Sequence, residues 1–243
     1  MIVESRGRTT GTMGGGPVEK RAAAAAEEML FSGGKSSLLK FSLDAPNNGS
    51  PDTVETGSIC GGSISVFIQC FYPPASLLIV GGGHIAKFIY KLAKDMDFGI
   101  SIVENREEFA SQNRFPEARV IRGNYREVIS SIPYNSPTYV VILTHGHKFD
   151  QIVLDTVLER EWDNVCYVGM MGSAKKVKAV LENSLGKGAN PEKVSRIRTP
   201  IGLNIGAATP QEIAIAIMAE IISVRRGMDL NNSQIMSIAG TVC

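Results

Sequence analysis

The residues of this chain best suited to chemistry are a glycine-rich turn, three histidines, an acid closing an apolar run and a cysteine set beside glycines. Gly81-Gly82-Gly83-His84-Ile85-Ala86 follows the apolar run Leu77 to Val80 and fits the spacing G-x-G-x-x-A. At that spacing Gly81 permits a tight turn, Gly83 lets a phosphate approach the backbone and Ala86 allows close helix-to-strand packing, while the next helix presents free N–H groups to an anion. Glu104 ends the second apolar run, where an acid accepts hydrogen bonds from a ribose. The plainer reading is that the glycines only make a tight turn. His145 and His147 stand in Thr144-His145-Gly146-His147, after the fourth run, with Asp150 just behind. In a doubly wound sheet of order 3-2-1-4-5 the first and fourth strands are neighbours and ligands bind between their carboxyl ends, so His84, Thr144, His145, His147 and Asp150 are expected to converge there. Imidazoles in that crevice can bond a phosphate, shuttle protons or hold a metal with Asp150; capping a helix that begins near Lys148 is the simpler alternative.

Cys60, in Ser58-Ile59-Cys60-Gly61-Gly62, is uncrowded, as a reactive thiol or a thiolate ligand for a soft metal must be. A small apolar role is the alternative. Cys70 and Cys166 lie in apolar surroundings and read as structural; Cys243 carries no signal. Tyr167-Val168-Gly169-Met170-Met171-Gly172-Ser173 is expected to follow the fifth strand as a turn, with Gly172 and Ser173 opening a helix that bears Lys175 and Lys176, another place for donors to meet an anion. Pro200 to Pro210 leads into a last helix with Thr209 as N-cap and Pro210 at its first position; Gly202 and Gly206 fit tight packing and ligand approach equally. Gly14-Gly15-Gly16-Pro17 opens an alanine-rich helix and is a second candidate anion seat. Gly33-Gly34-Lys35-Ser36 imitates the tail of a phosphate-binding loop, but Met29 stands where the leading glycine belongs and a helix precedes it.

The elements that position these residues fall into two groups, divided near Tyr72-Pro73-Pro74-Ala75. Residues 1–73 read as a small α+β domain: a helix over Pro17 to Phe31, stopped by Gly33-Gly34, then strands over Leu38 to Leu43 and Ile59 to Phe71 around a polar loop. Residues 74–243 read as an α/β, Rossmann-like doubly wound parallel sheet. Its strands are Leu77 to Val80, Ile100 to Glu104, Arg119 to Ile121, Tyr139 to Thr144 and Val165 to Val168, separated by helical segments.

Composition narrows the partners. With 25 Lys plus Arg against 24 Asp plus Glu there is no field to recruit nucleic acid or an anionic membrane, and 44% hydrophobic residues suffice for a core. The most apolar stretch, Ile213 to Val224, is short for a bilayer span and carries Glu220. The opening Met1-Ile2-Val3-Glu4-Ser5-Arg6 lacks a secretory pattern, and the four cysteines form no C-x-x-C pair, so a cytoplasmic protein with reduced thiols is expected.

These motifs, taken in order, resemble the XdhC/CoxI family, accessory factors of xanthine dehydrogenase and related molybdenum hydroxylases. The resemblance rests on Gly11-Thr12-Met13-Gly14-Gly15-Gly16-Pro17-Val18-Glu19, Cys60-Gly61-Gly62, the Gly81 to Ala86 turn, Thr144-His145-Gly146-His147 with Asp150, Tyr167 to Ser173, and Pro200 to Pro210 followed by Glu212-Ile213-Ala214. It implies a cytoplasmic homodimer that binds molybdenum cofactor (molybdopterin), protects it while a cysteine desulfurase helps install the sulfido ligand, and delivers it to the apo-hydroxylase, a maturation factor more than an enzyme. The cofactor would contact Gly81, Gly82, Gly83, His84, Ile85, Ala86, Glu104, Thr144, His145, His147, Gly169, Gly172 and Ser173, with Cys60 near the molybdenum. Family members carry a segment of Ser, Pro and basic residues ahead of their first strand; this chain opens at Met1-Ile2-Val3, so a truncated small domain is expected. Two other readings stand beside this one: an NAD(P)-dependent oxidoreductase or redox sensor built on the glycine turn and Glu104, and a metal-dependent hydrolase built on His145, His147 and Asp150.

Overall fold

The computed structural model describes residues 1–4, 7–42, 53–55 and 62–228, which divide into two compact units, Met1–Pro73 and Pro74–Cys243. In the first, β1 (Ile2–Val3) pairs antiparallel with β2 (Thr9–Thr10), and α1 (Gly16–Ser32) precedes a three-stranded sheet. Pro17 sits in the first turn of α1, Ala22 and Ala26 bury one face at helical spacing, and Gly33 in the left-handed region ends it, with the Gly34 N–H donating to the Met29 carbonyl. Gly33-Gly34-Lys35-Ser36 is therefore a helix stop running into a strand. β3 (Ser36–Ser42) pairs in parallel with β4 (Thr53–Glu55) and antiparallel with β5 (Ser63–Gln69). β4 corrects the expectation of a polar loop: three residues among Pro, Asn and Gly are too few to show a period, and pairing with β3 makes the strand. Leu43 and Ile59 to Gly61, expected in strands, lie outside the described residues.

The second unit is a six-stranded parallel sheet with helices on both faces. Its elements are β6 (Ala75–Val80), α2 (His84–Ala93), β7 (Phe98–Glu104), β8 (Arg119–Arg122), α3 (Tyr125–Ser131), β9 (Thr138–Ile142), α4 (His147–Leu158), β10 (Val165–Met170), α5 (Ala174–Gly186), α6 (Pro191–Ser195), β11 (Ile197–Arg198) and α7 (Pro210–Arg225). The order β11-β10-β9-β6-β7-β8 puts the topological switch between β6 and β9, with every pairing parallel. Both sheet faces are covered, so the strands carry apolar runs without alternation: Leu77, Leu78, Ile79 and Val80 are all fully buried. Leu78, Val80, Val140, Ile142 and Met170 pack with Ile129, Val153, Leu154 and Val177 on one face. Leu77, Ile79, Tyr139 and Val141 pack with Ala86, Ile89, Ile217 and Ile221 on the other.

Four expectations are corrected here. β9 stops at Ile142, so Leu143 and Thr144 open the crevice loop instead of ending the strand. β10 runs on to Met170, so Gly169 lies inside the strand; a Cβ there would strike the Tyr167 hydroxyl and the Ile201 side chain, and packing explains the glycine. A sixth strand, β11, is two residues long and owes its existence to pairing with β10. Between β7 and β8, residues 105–118 form turns without a helix, pinned by Phe115, which is buried and meets Tyr90 edge-to-face at 5.5 Å.

Candidate functional site

At the carboxyl edge of the sheet the three glycines after β6 answer to three different neighbours. Gly81 has φ 111°, and a Cβ there would collide with the Leu143 carbonyl of the adjacent loop. A Cβ at Gly82 would collide with the Phe109 carbonyl, whereas at Gly83 nothing lies within 4 Å. The first two are glycines so that protein can pack; the third leaves open space where α2 begins. Ala86, fully buried, fits the close packing of α2 on the sheet.

The two helices that start at the switch point also differ from the other helices of the second unit at their first turns. α2 is N-capped by Gly83 and α4 by Gly146, neither with a side-chain cap. Asn124, Ser173, Asn190 and Thr209 cap α3, α5, α6 and α7 with their side chains. An uncapped first turn leaves N–H groups and the positive end of the helix dipole to an outside acceptor. Gly81 also lies close to Leu143 and Thr144, so the α2 and α4 starts share one crevice.

Glu104 occupies the expected place at the end of β7 but serves the protein. Its carboxylate is fully buried and accepts from Gly82 N at 2.8 Å, Asn105 N at 3.0 Å, Arg106 N and Nε at 3.1 Å, Arg106 Nη2 at 2.9 Å and the Tyr125 hydroxyl at 3.1 Å. Burial by itself would push the carboxyl up, but the hydrogen bonds and charge of Arg106 and the Gly82 amide outweigh it and hold the group at about 2. With its acceptor sites turned to these donors, the carboxylate has no face for a ribose. The Arg106 guanidinium lies 4.0 Å from the Phe109 ring centre, Arg114 lies 5.3 Å from the same ring, and Arg114 Nη2 reaches the Gly82 carbonyl at 3.3 Å. Sequence reasoning missed Arg106, Phe109, Arg114 and Tyr125; the Asn-Arg pair directly after the strand-ending acid is a signal that could have found the first.

His84 opens α2 and is exposed; His145 is exposed too, its ring centre 4.6 Å from that of Phe149; His147 is the first residue of α4. Thr144 donates to Asp150 at 2.5 Å, and Asp150, almost fully buried, is paired with Lys176 at 2.5 Å. The acid of the supposed histidine cluster thus ties the β9 loop and α4 to α5, and among the described residues no three His, Cys, Asp or Glu side chains gather to hold a metal. Gly172 packs tightly, its Cβ position 3.0 Å from Val177, and Ser173 caps α5 through Lys176 N. Ser173 with Lys148, Lys175 and Lys176 lines a groove of about 810 Å³ along α4 and α5. Gly202 packs 3.2 Å from α7 and its N–H donates to Glu220, so ligand approach is not needed to explain it; Gly206 has open space and φ 72°.

In the first unit the Gly14-Gly15-Gly16 turn is already supplied with an anion. Glu19 accepts from Met13 N at 2.7 Å, Gly15 N at 3.0 Å and the Thr12 hydroxyl at 2.5 Å, which hold its carboxyl below the ordinary range. Cys60 and Gly61 lie outside the described residues. Among the described residues no helix is long and apolar enough to cross a membrane.

Residues 77–221 match the model of the XdhC Rossmann domain, and residues 1–42 match that of the XdhC and CoxI family. The chain is 31% identical over 227 residues to the Escherichia coli (strain K12) protein YqeB, covering 93% of this chain and 40% of that protein. It is 29% identical over 163 residues to a probable xanthine dehydrogenase subunit of Bacillus subtilis (strain 168), covering 67% of this chain and 46% of that protein. It therefore spans less than half the length of these curated relatives. The crystal structure of a xanthine dehydrogenase from Bacillus halodurans shares the fold, with a TM-score of 0.57 at 21% identity over 88% of this chain and 66% of that one. With its Rossmann unit matched almost from end to end, the chain belongs to the XdhC family.

Proposed function

We propose that this chain is an accessory factor that binds molybdenum cofactor, supports its sulfuration and delivers it to a molybdenum hydroxylase of the xanthine dehydrogenase type. One observation carries the reading: α2 and α4 both begin uncapped at the switch point, with open space at Gly83. Helix starts of this kind fit the phosphate of a pterin cofactor or of its dinucleotide form. Gly83, His84, Ile85 and Ala86 would hold that phosphate, and Thr144 to His147 would border the rest of the ligand. When bound, the cofactor supplies the metal and the sulfido ligand that the client needs. The chain's own part is to seat the phosphate and keep the turn rigid through Glu104 and Gly82; Cys60 is the thiol proposed as a ligand for the metal. A homodimer, a cysteine desulfurase and the apo-hydroxylase are the partners this role requires, in the cytoplasm, with no turnover of a metabolite.

The test is equilibrium binding of molybdenum cofactor to the purified chain and to Gly83→Asp. That substitution adds a carboxylate where there is room and backbone strain is absent, since Gly83 has φ −66°. A loss of at least about tenfold in affinity, the equivalent of one charge-assisted contact turned to repulsion, supports the reading; unchanged affinity sinks it. Cys60→Ser tests the thiol separately through retention of the cofactor's molybdenum. A nicotinamide-dependent oxidoreductase is the second reading, favoured by the G-x-G-x-x-A turn, and binding of NAD(H) without molybdenum cofactor would move the assignment there.

A further inference from the structure

We infer that the corner formed by Arg106 and Arg114 reads a phosphate monoester, so that the crevice also takes a dinucleotide phosphorylated on its ribose, of the NADP(H) class. The inference rests on the Gly81–Ala86 turn being a phosphate seat. In a dinucleotide-binding sheet the acid at the end of the second strand receives the ribose hydroxyls and repels a ribose phosphate, whereas a nearby arginine accepts one. Here that acid is withdrawn. Glu104 is fully buried, its oxygens are shared among Gly82, Asn105, Arg106 and Tyr125, and its charge is matched by Arg106 at 2.9 Å.

What remains at the corner is cationic. Arg114 has no carboxylate partner among the described residues, and its Nε is buried without a hydrogen bond. Of the neighbouring acids, Glu107 pairs with Arg122 at 2.8 Å and Glu117 with Lys94 at 3.8 Å, while exposed Glu108 adds negative charge near Arg106 but forms no ion pair with Arg114 among the described residues. Phe109 carries both guanidinium groups at its ring, at 4.0 and 5.3 Å; Arg106 is matched by Glu104, which leaves Arg114 as the charge that a phosphate monoester would pair. Asn105 Oδ1, buried and without a donor, adds an acceptor of the kind a ribose hydroxyl satisfies. The corner adjoins the turn, because Arg114 bonds the Gly82 carbonyl and Glu104 bonds the Gly82 N–H. A dinucleotide with its linking phosphates at Gly83 would place its ribose on the β7 side, so it and the pterin cofactor use the turn alternately.

NADPH and NADH differ only in the ribose phosphate and are the probes. Binding of each to the purified chain is measured by calorimetry, with molybdenum cofactor measured in parallel. NADPH is expected to bind about tenfold tighter than NADH, with that ratio falling in high salt. Arg114→Gln is expected to bring the ratio near one, its fold checked by thermal melting; the wild-type ratio decides the matter if that variant does not fold. NADH binding as tightly as NADPH overturns the corner and leaves the glycine turn as a phosphate seat. Cofactor binding with no binding of either dinucleotide does the same. Failure of all three ligands to bind removes the turn's role and the corner's together.

Discussion

The molecule contains two glycine triplets that each run straight into a helix, Gly14–Gly16 before α1 and Gly81–Gly83 before α2, and they end in opposite conditions. In the first, all three glycines have positive φ, a Cβ at any of them would meet nothing within 4 Å, and the turn's amides are bonded to Glu19. In the second, the first two glycines are pressed against neighbouring carbonyls and the third is open at an uncapped helix. The difference lies in where the acid sits. Glu19, in the first turn of α1, folds back and fills its own turn; Glu104, on a separate strand, takes one amide from behind and leaves the front free. A glycine-rich helix start is an anion seat only where the chain has not supplied the anion.

Substitutions can break this contrast, and their expected effects are graded. Gly81→Ala should cost most, about 3 kcal/mol or more in denaturant unfolding, because a methyl at φ 111° must displace the Leu143 carbonyl. If it costs no more than Gly15→Ala, the packed-versus-open distinction fails. Glu104→Gln should cost about 2 kcal/mol by removing charge-assisted bonds to Arg106 and Gly82. It should also flatten the acid limb of the stability curve. Because the folded carboxyl titrates at about 2 against an ordinary 4.5, its stabilisation is complete above the ordinary value and is lost as pH falls between the two. Gly15→Ala, strained by φ 77° but free of clashes, should cost about 1 kcal/mol. Smallest in stability and sharpest in meaning is Glu19→Ala. Vacating the first turn should make its unit respond to added phosphate as a rise in melting temperature that the wild type lacks; an identical response in both would mean the turn cannot seat an anion at all.

What was legible in the sequence followed burial. Fully covered strands such as Leu77–Val80 and Thr138–Ile142 announce themselves as unbroken apolar runs, and their alternation with helices implies the doubly wound sheet. The places that escaped are those where a distant partner decides. β4 and β11 exist through pairing with β3 and β10. The β7–β8 connection keeps its course because Phe115 is buried, although its spacing suggests a helix. At the site, the acid at the end of β7 could be read, but not that Arg106 and Tyr125 would claim it. Asp150 was likewise legible beside two histidines, while its true partner, Lys176, arrives from another helix.

The two faces of the parallel sheet are completed at different points along the chain. Ile129, Val153, Leu154 and Val177, which cover one face, are all synthesised by the end of α5. The other face takes Ala86 and Ile89 from α2 but also Ala214, Ile217, Met218 and Ile221 from α7, where Glu220 locks the helix to Tyr167 and Gly202. A ribosome that has released everything through α6 therefore holds a sheet with one side still partly bare. Apolar surface in that interval invites association with other nascent chains. Among the described residues the cover still missing from that face lies on α7, so fragments ending short of residue 210 should collect in the insoluble fraction.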